Sequence, residues 1–239
     1  MRGMILAAGL GTRLRAMTAT RPKALVEIGN RTLLQIALER FRDFGILDVI
    51  INVHHFADMV VDYLKAHDNF GMHVEISREG LLLDTGGGLK QAGWFFEKER
   101  EPFLLHNVDV ISTIDFRKML AFHGDSGALA TLAVQNRPTS RYLIFDDQLQ
   151  LCGRRLVREQ KVEMVRPVQR TEEAAFTGVH VISPELIPLM TESGTFSIIA
   201  CYLRLAEAGE KIVAFRADAY SWRDLGTPES VALANAEIG

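Results

Sequence analysis

The apolar run Met4-Ile5-Leu6 gives way at once to Ala7-Ala8-Gly9-Leu10-Gly11-Thr12-Arg13, and Arg21-Pro22-Lys23 follows shortly after. A short apolar run that ends in a glycine-rich turn predicts a buried parallel strand feeding a tight loop. Gly9 and Gly11 let the backbone turn sharply and approach a ligand with no Cβ in the way. Successive backbone N–H groups in such a turn can face an anion. Arg13 adds a planar fork of donors that fits phosphate oxygens, and Lys23 adds a compact point charge. The stretch therefore reads as a polyphosphate site. Pro22 keeps Arg21 out of a helix, so Arg13 to Lys23 is expected as a long polar loop.

Three better-known phosphate-binding patterns are excluded. No Gly-Lys-Ser/Thr occurs, so there is no P-loop. Leu14 stands where a dinucleotide fingerprint needs its third glycine. His-Arg-Asp and Asp-Phe-Gly are both missing, which removes the kinase set. A formal charge of -3 gives no basic field for nucleic acid. No apolar run reaches the ~18 residues of a membrane span, and the N-terminus lacks the h-region of a signal peptide. A soluble, cytoplasmic protein is expected, with no nucleic-acid or membrane partner and an oligomeric state left open. Cys152 and Cys201 stand far apart and are expected as buried free thiols.

At 239 residues, 48% of them apolar, the chain suits one sizeable α/β domain. Strand and helix patterns alternate through the first half: Leu47 to Val53, Met72 to Ile76, Phe103 to Asn107 and Gly127 to Val134 read as strands. Thr32 and Gln35 have capping-box spacing ahead of the helical face Leu34, Ala37, Leu38 and Phe41. Leu89 to Phe96 is expected as a helix, and Asp115 as the cap of another. This alternation predicts a largely parallel sheet covered on both faces, with ligands beyond the carboxyl ends of its strands. After Asn136 the strands become shorter and partly antiparallel, from Tyr142 onward to Trp222. One domain spans 1–239, with lobes at 1–135 and 136–239. His54 and His55 are adjacent on a strand and point to opposite faces, so a structural role is expected for them.

Leu6 to Arg13 with Arg21-Pro22-Lys23-Ala24-Leu25 resembles the signature of the sugar-1-phosphate nucleotidyltransferases. The likeness continues through Asp84-Thr85-Gly86-Gly87-Gly88, Asn107-Val108-Asp109-Val110, Phe176-Thr177-Gly178 and Trp222-Arg223-Asp224-Leu225-Gly226-Thr227. It implies a three-layer α/β/α Rossmann-like (GT-A-like) fold with a mixed, mostly parallel central sheet. It also implies nucleotidyl transfer from a nucleoside triphosphate to a sugar 1-phosphate, with Mg²⁺ held by Asp109 and Asp224. Arg13, Lys23, Asp109 and Asp224 would carry the catalysis. Leu6, Ala7, Ala8, Gly9, Gly11, Thr12, Thr85, Gly86 and Asn107 would line the nucleotide site together with Arg13 and Lys23.

Thr177, Gly178 and Arg141 would meet the sugar phosphate. The family's Glu-Lys-Pro is missing, which leaves Arg141, Arg154, Arg155, Lys161 and Arg166 as candidate cations on that side. Val108 replaces the glycine usual before the metal-binding aspartate, and a β-branched residue tolerates positive φ badly. Among subfamilies, the Asp84–Gly88 loop most resembles the N-acetylmuramate-1-phosphate uridylyltransferases, so UTP and an N-acetylated amino sugar are the expected substrates. A mannose-1-phosphate guanylyltransferase, a phosphocholine-type cytidylyltransferase and a non-catalytic sensing subunit are the competing readings.

Overall fold

The computed structural model describes residues 1–238. The chain runs β1 (Arg2–Leu6), β2 (Glu27–Ile28), β3 (Arg31–Thr32), α1 (Leu33–Asp43), β4 (Asp48–Val53), α2 (Ala57–Ala66), β5 (His73–Arg78) and α3 (Asp84–Gln91). Then come β6 (Phe103–Asn107), β7 (Val110–Ser112), α4 (Phe116–Ser126), β8 (Ala130–Gln135), β9 (Arg141–Phe145), β10 (Leu151–Leu156) and β11 (Lys161–Met164). It closes with β12 (Glu172–Ile182), α5 (Ile198–Glu207), β13 (Ile212–Arg216), β14 (Trp222–Asp224) and α6 (Pro228–Ile238).

One ten-stranded mixed sheet runs β11-β10-β9-β12-β6-β1-β4-β5, with β8 attached to β12 and β13 to β8. Its core is parallel, β6, β1, β4 and β5 lying side by side, while β9 to β12 pair antiparallel. The long strand β12 joins the two halves. Its first residues pair with β9 and its last with β6, and β8 follows it across a register break between Phe176 and His180. Gly178, at φ 83°, makes that bend, a conformation a side chain would strain.

Alternating strand residues supply two apolar layers. Ile5 faces the layer filled by Leu34, Val60, Met119 and Val231 of α1, α2, α4 and α6. Met4 and Leu6 face the opposite layer, with Leu89 of α3 and Tyr202 of α5. The helix starts follow local chemistry. The Thr32 hydroxyl accepts from Gln35 N at 3.0 Å, and Asp115 accepts from Arg117 N and Lys118 N at 3.0 and 3.1 Å. Cys152 and Cys201 are free and buried. No described helix is long and apolar enough to cross a membrane.

Two local expectations are corrected. The polar segment after Gly11 coils into short 3₁₀ turns at Thr12–Thr18 and Lys23–Leu25. The triple glycine is not a free loop either, because α3 begins at Asp84 and ends at Gln91, followed by a 3₁₀ turn at Gly93–Phe96. Glycine disfavours a helix, yet packing decides here. A Cβ on Gly86 would collide with the Phe196 ring, and one on Gly87 would stand 2.6 Å from Gly194 O.

Gly88 abuts a buried polar pair that ties the sheet edge together. Asn52 Oδ1 accepts from Ala7 N at 2.8 Å, and Asn52 Nδ2 donates to Glu79 Oε1 at 2.7 Å. Glu79 Oε2 accepts from Leu83 N at 2.9 Å. A Cβ on Gly88 would stand 2.6 Å from Asn52 Nδ2 and 2.7 Å from Glu79 Oε1. Helix propensity alone would have Gly88→Ala stabilise by about 1 kcal/mol. Overpacking and a broken buried hydrogen bond oppose it with about 2–4 kcal/mol in sum. Gly88→Ala is therefore expected to lower the urea midpoint, and an unchanged or raised midpoint would show that the pair yields freely.

Candidate active site

The carboxyl ends of β1, β4 and β6 meet at one edge of the sheet, as their parallel registers require. Beyond them lies a cleft of about 340 Å³ lined by Leu6, Ala8, Gly9, Lys23, Asn52, Glu79, Leu82, Asp84, Thr85, Asn107, Val108, Asp109 and Thr195. A Cβ on Gly9 would meet nothing within 4 Å, so its bareness leaves open space and is not required by packing. Gly11 differs. It sits at φ 65°, and a Cβ there would lie 2.9 Å from Thr18 Cγ2. Thr18 Oγ1 and Leu14 N both donate to Gly11 O, at 3.0 and 2.8 Å, closing the turn.

Lys23 forms an ion pair with Asp109 Oδ2. The two side chains are only 11% and 14% exposed. Removing either partner leaves the other poorly solvated, which is the expensive way to break such a pair. Val108, just before Asp109, does not adopt positive φ. Its N–H donates to Leu6 O at 3.1 Å, continuing the β1–β6 ladder, and its side chain joins the core. The turn therefore needs no glycine.

Asp224 reaches the same edge by another route. β14 pairs antiparallel with β7, placing Asp224 opposite Val110. Leu225 N then donates to Asp109 O at 2.8 Å. The two aspartates are thus locked together by backbone. Asp224 Oδ1 accepts from Gly226 N at 2.6 Å and lies 3.9 Å from an Arg13 guanidinium nitrogen. Arg13 and Asp224 are 64% and 42% exposed, so this pair adds little stability and leaves Arg13 free to move.

The predicted residues are not all in one place. Lys23, Asp109, Leu6, Ala8, Gly9, Thr85 and Asn107 line the cleft. Arg13 and Thr12 instead line a neighbouring recess of about 420 Å³ with Arg15, Thr227, Pro228 and Glu229. Four residues have groups engaged in the fold or stand outside the cleft lining. Ala7 N is taken by Asn52, so that group is closed to a base. Gly86 is buried under Phe196 and Gly11 shapes the loop; neither lines the cleft. Thr177 is buried, with its hydroxyl donating to Ala133 O at 2.8 Å.

Gly178 packs against the Asn107 side chain. Asn107 Oδ1 is buried with no hydrogen-bond partner among the described residues. Beneath it, burial pushes the His106 imidazole down to about 4, which keeps it neutral near pH 7. His54 Nδ1 lies 2.9 Å from Glu79 O, a strand-end role.

On the sugar side, Arg141 is exposed at the start of β9. The other four candidate cations are engaged: Arg154 and Lys161 with Glu163, Arg155 with Glu173, and Arg166 with Asp146 at 4.0 Å. Asn52, Glu79 and Arg137 were not anticipated. The first two carried a signal, being polar residues in or just after apolar strands at the ligand edge. Arg137 stacks on the Trp222 ring, 3.6 Å from its centroid, and donates to Phe176 O at 2.8 Å. Burial lowers its pKa, and the nearby Asp224 charge works against that shift.

Solved structures share the fold. HddC from Yersinia pseudotuberculosis, complexed with GMP-PN, superposes with a TM-score of 0.78 at 22% identity, covering 100% of this chain and 99% of that one. A putative glucose-1-phosphate thymidylyltransferase from Bacillus anthracis also gives 0.78, at 18% identity, covering 99% and 94%. A mannose-1-phosphate guanyltransferase from Kluyveromyces lactis is 31% identical over 238 residues, and one from Candida albicans is 30% identical over 239. Each of these alignments covers 96% of this chain but 62% of the relative, so the chain spans less than two thirds of their length. The nucleotidyl transferase family matches residues 2–239, and the chain belongs to that family.

Proposed function

We propose that this protein transfers a guanylyl group from GTP to a mannose-type hexose 1-phosphate and releases pyrophosphate. The observation that carries the transfer chemistry is the Lys23–Asp109 pair in a small-residue cleft, with Asp224 tied to Asp109 through backbone and the exposed Arg13 within reach of Asp224. A sugar 1-phosphate is already anionic at neutral pH. Its phosphate oxygen attacks the α-phosphorus directly, a new oxygen–phosphorus bond forms, and the bond to the β-phosphate oxygen breaks. No general base is needed. The difficulty lies in holding two anions in line, and Lys23 and Arg13 offset that repulsion as charge builds.

Asp109 and Asp224 would hold Mg²⁺. Asp109 Oδ1 and Asp224 Oδ2 have no hydrogen-bond partner among the described residues, so each carboxylate keeps one hard oxygen for a cation. Among the described residues no group of three or more His, Cys, Asp or Glu is placed to hold a metal by itself, which suits an ion that shares substrate phosphates. When bound, such an ion supplies Lewis-acid charge and a template for the phosphates.

The base reading rests on the relatives. Glu79, buried at the cleft wall, already accepts from Asn52 Nδ2 and Leu83 N and braces that wall. The Asp84–Gly88 segment, the motive for a uridylyl reading, has its glycines occupied with packing. The relatives' names supply guanyl transfer and mannose 1-phosphate. N-acetylmuramate 1-phosphate with UTP gains no such support.

Two outcomes test this reading. Asp109→Ala is expected to cut kcat about 10²–10³-fold while the chain stays folded, since a carboxylate that would hold the phosphate-bound cation is lost. Undiminished pyrophosphate release by a folded variant would remove Asp109 from the chemistry. In steady state with mannose 1-phosphate, GTP is expected to exceed UTP, CTP and dTTP in kcat/KM by about tenfold or more, the effect of one orphaned buried group. Preference for UTP with N-acetylmuramate 1-phosphate would overturn the guanylyl assignment.

A further inference from the structure

The transfer reading needs a cation for the acceptor phosphate, and on that reading we propose that Arg137 supplies it from the β8–β9 turn. Trp222 and Asp224 are two apart on β14, so their side chains share a face. Arg137 sits over the Trp222 ring, 3.6 Å from its centroid, and lies close enough to Asp224 to feel its charge. The ring is itself fixed, because Trp222 Nε1 donates to Thr177 O at 2.7 Å. A second tether, from Arg137 to Phe176 O, sets the rotation of the guanidinium plane.

What this leaves unsatisfied is informative. One terminal nitrogen of Arg137 is engaged, Nε is buried without a partner, and the second terminal nitrogen makes no hydrogen bond among the described residues. No carboxylate lies within ion-pair distance of Arg137 among the described residues, although Arg154, Arg155, Lys161 and Arg166 on the same lobe all have one. A half-buried guanidinium without an anion is a poor way to stabilise a fold. With a phosphate the same arrangement becomes a preorganised fork, stacked on an aromatic face and near the Asp224 charge. A sugar 1-phosphate would bring the phosphate. The nucleoside triphosphate would keep Lys23 and Arg13.

The test uses the whole chain, with Arg137→Met, which preserves apolar stacking on Trp222, and Arg137→Lys, which preserves charge. With GTP, Mg²⁺ and mannose 1-phosphate, Arg137→Met is expected to raise KM for the sugar phosphate about ten- to hundredfold, the effect of losing charge-assisted hydrogen bonds. KM for GTP should stay within about twofold, and Arg137→Lys should fall between. A merely structural role would move both KM values together, or lower the melting temperature with neither KM changed, and either result overturns the proposal. If the wild type turns over no sugar 1-phosphate, the transfer reading fails and calorimetric titration decides Arg137 alone. Binding of mannose 1-phosphate or glucose 1-phosphate to the wild type, lost in Arg137→Met, would uphold it. Equal binding by both proteins, or binding by neither, would overturn it.

Discussion

The ion pair between Lys23 and Asp109 closes the floor of the cleft, and much of the surrounding structure serves to bring those two residues together. Asp109 follows β6 and Lys23 follows the glycine turn that leaves β1, and the two strands are parallel neighbours. Their carboxyl ends therefore deliver both residues to one edge. The Val108 N–H bond to Leu6 O extends the same ladder into the turn before Asp109. Asn52 and Glu79 brace the other wall by holding the backbone at Ala7 and Leu83. Asn52 is partnered with Glu79 and Lys23 with Asp109, so removing one member of either pair orphans the other.

The second aspartate arrives from the far end of the sequence. The β7–β14 ribbon sets Asp224 against Val110, and the Leu225 bond to Asp109 O fixes their spacing through backbone. Two carboxylates held this way have cations on both flanks, Lys23 on one side and Arg13 on the other. The exposure of the Arg13 pair and the burial of the Lys23 pair divide the labour. The buried pair is costly to break and shapes the cleft, while the exposed one can yield to a phosphate.

Much of this was readable from residues alone because it rests on local rules. An apolar run ending in Gly9 and Gly11 predicts a strand and a loop, and Thr32 and Asp115 mark helix starts through their own side-chain oxygens. What escaped depends on tertiary contacts. Helix propensity argued against Gly86-Gly87-Gly88 as helical, yet Phe196, Gly194, Asn52 and Glu79 press so close that only glycine fits. Thr177 looked available for a sugar because it sits beside Gly178, but the bend at Gly178 leaves its hydroxyl on Ala133 O. Arg137 has no local motif at all. Its setting exists only once Trp222, Phe176 and Asp224 have been assembled from distant segments.

On the proposed function, a site built from placed charges would pass the nucleotidyl group in one in-line displacement. The most direct measurement is the stereochemical course at the α-phosphorus. GTP carrying a single sulfur of known configuration there would be turned over with mannose 1-phosphate and Mg²⁺, and the configuration of the product read by phosphorus NMR. Inversion is the predicted result. Retention would mean two displacements through a nucleotidyl–protein intermediate and would contradict a mechanism resting on Lys23, Arg13, Asp109 and Asp224 as charges alone.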